Sequence, residues 1–152
     1  MPRVLDIGGA FPYLAHCLAK RGCESYAIEP EPPPHDLNVT MLPLDFERDE
    51  IPNGPFDLIT CIHSFEHMYR PLDAFRKLRR LIADDGRLFI RSPDHRVPGI
   101  ERDMTPGHFE IHPMVHTLSS ILQICVETGN TFEVESYEQM QPGQMNVILK
   151  PL

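Results

Sequence analysis

Short apolar runs and helix-spaced apolar positions take turns along this chain, and each change of period marks an element. Arg3–Ile7 is a compact apolar strand. Tyr13–Arg21 follows with Leu14, Cys17, Leu18 and Arg21 at helical spacing, and Gly22 stops it. Glu24–Ile28 predicts a second strand closed by Glu29-Pro30. The proline-rich link Glu31–Asp36 is too short for an ordinary crossover helix, so the connection to a third strand, Asn38–Leu44, is expected to be trimmed. Phe56–Ile62 is a continuous apolar run, the signature of a strand buried on both faces. Pro71–Ile82 is amphipathic with proline in its first turn. Asp84-Asp85-Gly86 ends that helix, and Arg87–Arg91 predicts a fifth strand. Ser92–Pro113 reads as a histidine-rich loop, and Val115–Glu127 as the last helix, stopped by Gly129-Asn130. Thr131–Tyr137 and Met145–Leu149 are two further strands joined by Gln141-Pro142-Gly143-Gln144, a hairpin turn.

Five strands separated by helices or short crossovers, then a hairpin, predict an α/β fold with a mostly parallel sheet and one antiparallel edge. No internal repeat or low-complexity stretch interrupts the pattern. At 152 residues the expectation is a single domain with a substantial core.

Charge narrows the partners. A formal charge of -8 lacks the electrostatic footprint of a nucleic-acid binder, and Arg76-Lys77 with Arg79-Arg80 reads as a solvated helix face. Four cysteines show neither CxxC pairing nor zinc spacing, which suits reduced thiols in a cytoplasmic protein. No apolar run approaches 18 residues, so no membrane contact is expected.

The chemistry concentrates where the first strand ends. Asp6 closes it, Gly8 and Gly9 allow a sharp turn, and a helix begins shortly after. Lysine is missing from this turn, which argues against a phosphate-cradling loop. Carboxylates at strand ends suit the hydroxyls and amines of a phosphate-free nucleoside.

Several segments in register resemble the class I S-adenosylmethionine-dependent methyltransferases, in their small-molecule branch, from Arg3 to about Lys150. Val4-Leu5-Asp6-Ile7-Gly8 resembles the first motif, and Glu29 the ribose-binding acid. Leu44-Asp45-Phe46 resembles the adenine segment, and Phe56-Asp57-Leu58-Ile59 with Phe65-Glu66-His67 the fourth strand and its turn. Leu78–Leu88 resembles the following helix–turn–strand. The resemblance implies a Rossmann-like three-layer sandwich, a seven-stranded mostly parallel sheet with a C-terminal antiparallel hairpin, and S-adenosyl-L-methionine as cofactor. It implies cofactor contacts from Asp6, Gly8, Gly9, Ala10, Glu29, Asp45 and Phe46, with carbonyls near Cys61 and Ile62 lining the sulfonium pocket. The family's three glycine positions read Gly8, Ala10 and Pro12 here. The usual N-terminal lid helices have no counterpart, and a homodimer or partner chain covering the pocket is one expectation that follows.

Methyl transfer to a hydroxyl or amine gains from a general base. His63 and His67 lie one helical turn apart after the fourth strand, and His108 lies in the later loop. These three are the candidate catalytic bases. The competing arrangement is a divalent metal held by His63, Glu66, His67 and His108, similar to the small-RNA 2′-O-methyltransferases; the expectation is no metal. Phe11, Tyr13, Phe65, Tyr69 and Phe109 are candidate walls of an acceptor pocket. The reading is thus methyl transfer to a small-molecule hydroxyl, amine or carbon. The rivals are a metal-assisted RNA 2′-O-methyltransferase and a non-catalytic methyltransferase-like binding subunit.

Overall fold

The strand that carries Asp6 lies third from one edge of a seven-stranded sheet, beside its central strand. The structure is a computed structural model that describes residues 1–8, 10–94, 113, 114, 116–140 and 143–152. The strands are β1 (Arg3–Ile7), β2 (Glu24–Ile28), β3 (Thr40–Leu42), β4 (Phe56–Ile62), β5 (Ile82–Pro93), β6 (Phe132–Met140) and β7 (Gln144–Pro151). Their order is β3-β2-β1-β4-β5-β7-β6. The first five run parallel, and β7 pairs antiparallel with both β5 and β6. This is the predicted mostly parallel sheet with an antiparallel hairpin at one edge. Gln141 and Pro142 of the predicted hairpin turn, and residues 95–112 of the predicted loop, lie outside the described residues.

Side-chain alternation sorts the two faces. Leu5, Ile7, Ile59, Cys61, Leu88, Ile90, Val147 and Leu149 enter one core with Phe75 and Leu78 of helix α2 (Pro71–Leu81) and Ile121 and Ile124 of helix α3 (Leu118–Glu127). Helix α1 (Tyr13–Ala19) packs on β1 and β2, burying Ala15 completely. Neighbouring strand positions Leu58, Phe89 and Ile148 share a shallow groove with Leu14 of α1. No described helix is long and apolar enough to cross a membrane.

Element ends differ from the periodicity in instructive ways. Helix α1 stops at Ala19, after which Arg21 and Gly22 turn back onto Leu18 and Ala19 carbonyls. β3 is only three residues long, because this edge strand has a partner on one side alone. The trimmed crossover before it holds no helix; two histidines pin it instead. His16 Nδ1 accepts the Asn38 N–H at 2.9 Å and His35 Nδ1 the Leu37 N–H at 3.2 Å. Helix α3 begins at Leu118 rather than Val115 because Thr117 and Ser120 form a reciprocal capping box. Of the cysteines, all free, Cys61 and Cys125 are buried while Cys17 is exposed.

The predicted Asp84-Asp85-Gly86 turn is absorbed into β5, yet the ladder skips it. Phe56 pairs with Ile82 and Leu58 with Arg87, so residues 83–86 bulge opposite one residue of β4. Gly86 makes the bulge fit: a Cβ there would stand 2.8 Å from Ile82 Cγ1 and 3.0 Å from the Phe56 and Ala83 oxygens. Gly86→Ala is therefore expected to lower unfolding free energy by roughly 1–3 kcal/mol, as overpacking does. Urea denaturation midpoints check this, and an unchanged midpoint rejects the assigned close approach.

Candidate functional site

Parallel register brings the carboxyl ends of the first strands together. Ile7 pairs with Ile28 on one side and with Cys61 on the other. The Gly8 N–H extends the ladder by donating to the Ile28 oxygen at 2.9 Å, and the Glu29 N–H donates to the Leu42 oxygen at 3.2 Å. The chain positions just past β1, β2, β3 and β4 therefore share one rim. Between them opens a cleft of about 460 Å³, within the size range of small-ligand sites. Gly8, Glu29, Asp45, Phe46, His63 and His67 all line it.

Gly8 has two reasons to be glycine. Its φ is +74°, in the left-handed region, and a Cβ would stand 2.6 Å from the Ser64 Cβ. The turn after β1 thus lies directly against the Ser64 side chain in the turn after β4, with no space for a Cβ on Gly8.

The carboxylates have different surroundings. Glu29 is half-buried at the rim. Asp45 is partly committed to its own loop: Oδ1 accepts the Glu47 N–H at 2.9 Å, and Oδ2 lies 3.5 Å from Arg48 Nε. Capping and cleft lining are therefore combined in one residue. Phe46 is buried in the core while its carbonyl accepts from Lys77 Nζ at 2.6 Å. Glu47 caps the other wall, accepting the N–H groups of Tyr69 at 3.1 Å and Arg70 at 2.7 Å.

Asp6 stands behind the cleft rather than in it. It is 5% exposed and accepts from Thr60 Oγ1 at 2.6 Å. Burial pushes its carboxyl above the usual range, partly opposed by the Thr60 hydrogen bond. Cys61, Ile62 and Ala10 also lie outside the cleft lining. Cys61 faces the core, where burial and the charge of Asp6 raise its thiol far above its ordinary value. The wall that the sequence assigned to Cys61 and Ile62 is formed one step further on, by His63 and Ser64. Gly9 and His108 lie outside the described residues.

Both described histidine candidates reach the cleft. His67 ends a single 3-10 turn, Phe65–His67, and is exposed. His63 adopts φ +52°, rare for a residue with a Cβ, and its Nδ1 lies 3.4 Å from Glu66 Oε1. Among the described residues no three His, Cys, Asp or Glu side chains converge as a metal site. Of the proposed aromatic walls, Tyr69 lines the cleft, whereas Phe65 is a core residue whose ring packs at a tilt against Phe75, centroids 5.3 Å apart. Phe11 and Tyr13 are exposed and stack on each other at 6.3 Å, and Phe109 lies outside the described residues. Ser64 and Met68 also line the cleft and are not singled out by sequence, although their position directly after the buried fourth strand is an available signal, while Glu66, a candidate metal ligand by sequence, lies outside the cleft lining.

Comparison with known proteins agrees with this architecture. A family profile described as a methyltransferase domain matches residues 1–136. A ubiquinone biosynthesis O-methyltransferase of Pseudomonas aeruginosa is 29% identical over 101 residues. That match covers 58% of this chain and 43% of the relative, so the chain spans less than half of the length of the curated relatives it matches. A SAM-dependent methyltransferase from Aquifex aeolicus superposes with TM-score 0.74 at 20% identity, covering 99% of this chain and 82% of that one. The 1,6-didemethyltoxoflavin-N1-methyltransferase of Burkholderia thailandensis, solved with bound 1,6-didemethyltoxoflavin and S-adenosylhomocysteine, gives a TM-score of 0.75 at 15% identity, covering 99% of this chain and 71% of that one. At such identities these structures establish the shared fold. With the profile spanning most of the sequence, the chain belongs to the methyltransferase-domain family.

Proposed function

We propose that this chain binds S-adenosyl-L-methionine and transfers its methyl group to a small-molecule acceptor bearing a hydroxyl, amine or carbon nucleophile. One observation carries the reading: Gly8, Glu29 and Asp45, at the ends of three neighbouring parallel strands, face a single nucleoside-sized cleft. Open α/β sheets bind nucleotides at this position. Family membership supports the reading, as do the names of the curated relative and the structural neighbours.

The residues present fit the cofactor's chemistry. Glu29 accepts charge-assisted hydrogen bonds from ribose hydroxyls. The Asp45-Phe46 loop meets the adenine edge, and the bare Gly8 backbone gives room to the methionyl chain. Paired acids at the rim repel phosphate, which this cofactor lacks. When bound, the cofactor supplies an electrophilic methyl on a sulfonium; the protein's task is to align an acceptor in line with it and exclude water. His63 and His67 line the same cleft, and their imidazoles are the groups that would take the acceptor's proton. Asp6 holds the β1–β4 junction through Thr60 and directs negative potential toward the methionyl ammonium.

Two results test this assignment. Glu29→Ala is expected to weaken S-adenosylhomocysteine binding by roughly 1–3 kcal/mol in calorimetric titration; unchanged affinity removes the ribose contact. Asp6→Asn is expected to raise stability near neutral pH. Because folding raises the Asp6 pKa, its contribution is most favourable below the unfolded-state value and is lost as pH rises through the folded one. The stability advantage of the asparagine variant should therefore shrink as pH is lowered toward about 4. A pH-independent difference contradicts a buried titrating carboxyl.

A further inference from the structure

We propose that Glu66 and His63 form a carboxylate–imidazole dyad, with His63 the base that deprotonates a neutral hydroxyl acceptor and Glu66 the residue that positions it. The inference rests on the methyl-transfer reading above and narrows its acceptor class.

Glu66 is the least explained polar group of the described fold. It is 1% exposed, and among the described residues neither carboxylate oxygen has a hydrogen-bond partner meeting ordinary geometry. Burying such a group is costly unless a charge or proton donor compensates it. Its oxygen does have a neighbour, His63 Nδ1 at 3.4 Å, and the His63 side chain is 42% exposed where it lines the cleft. Apo catalytic hydrogen bonds are often long and tighten only on binding.

The His63 backbone is fixed for this purpose. Its N–H donates to the Arg91 oxygen at 2.9 Å, tying it to the end of β5. The left-handed φ of +52° then turns the side chain out of the strand direction, so it lines the cleft while Glu66 sits behind. Strained backbone of this kind clusters at functional sites. The next residue, Ser64, is the one Gly8 packs against. Imidazole and nucleoside-binding turn are thereby set beside each other.

A carboxylate on Nδ1 selects the Nδ1–H tautomer and leaves the free lone pair on Nε2 of a ring that lines the cleft, as the aspartate does in serine hydrolase triads. In the step, the acceptor O–H bond breaks and its proton passes to Nε2. The oxygen lone pair forms the bond to the sulfonium methyl carbon, and the carbon–sulfur electron pair stays on sulfur. The imidazolium, stabilised by Glu66, returns its proton to water. An acceptor that is already a thiolate or carbanion needs no such base, so a neutral alcohol or phenol is the class this dyad serves.

The direct test is the tautomer of His63, read from long-range 15N–1H correlation spectra of the wild-type chain at mildly alkaline pH and assigned with His63→Asn. The expected result is an excess of about tenfold of the Nδ1–H form, the size of one charge-assisted hydrogen bond. Glu66→Met keeps the volume and removes the acceptor, and should return His63 to the intrinsically favoured Nε2–H form; Glu66→Gln, which keeps an acceptor, should restore Nδ1–H. A wild-type Nε2–H tautomer overturns the dyad without need of any variant, as does an unmoved ratio in a folded Glu66→Met. Calorimetry of S-adenosylhomocysteine with the wild type separates the two levels. Binding without the Nδ1–H preference rejects the dyad alone, and the preference without binding rejects the methyl-donor reading.

Discussion

The register of three adjacent parallel strands governs this molecule. Because Ile7 lies level with Ile28 and with Cys61, the turns that follow β1, β2 and β4 emerge at one height. Backbone hydrogen bonds beyond the strands, from Gly8 to Ile28 and from Glu29 to Leu42, carry that alignment into the loops. A slip of one residue would send every side chain to the opposite face and scatter the acids. The apolar alternation fixes the register: Leu5, Ile7, Ile59 and Cys61 can enter the common core in only one setting.

Polar groups are buried at the same junction, and they oppose stability. Asp6 is enclosed in hydrogen-bonding contact with Thr60, and Glu66 is enclosed beside His63. Neither is what a core optimised for folding would choose, since isolated buried carboxylates favour the unfolded state. The surrounding apolar packing of Phe65, Phe75, Leu78 and Ile90 compensates for them. Such conflicts between local stability and the fold mark places where function sets the residue.

Much of the fold was legible because buried parallel strands write continuous apolar runs. Phe56–Ile62, Arg3–Ile7 and Glu24–Ile28 have the predicted bounds. The errors fall where tertiary context decides. β3 is shortened by its edge position, Gly86 reads as a helix stop yet fills a bulge, and Thr117 starts α3 through a side-chain cap. That Gly8, Glu29 and Asp45 come together in one cleft lining was legible because strand-end acids and a glycine turn are sequence-local. The exclusion of Cys61 and Ile62 from the cleft was not, since the turn after β4 depends on a left-handed His63 that no periodicity reveals. The burial of Glu66 was equally hidden, because a charged side chain between two apolar-flanked positions gives no sign of how deeply it lies.

On the proposed function, one cleft gathers the nucleoside between the ends of β1, β2 and β3. A crystal structure of the chain with S-adenosylhomocysteine measures that directly. The expected result is ribose hydroxyls within hydrogen-bonding distance of the Glu29 carboxylate and the adenine beside Asp45 and Phe46. A nucleoside bound elsewhere, or one in this cleft that leaves Glu29 uncontacted, would contradict it.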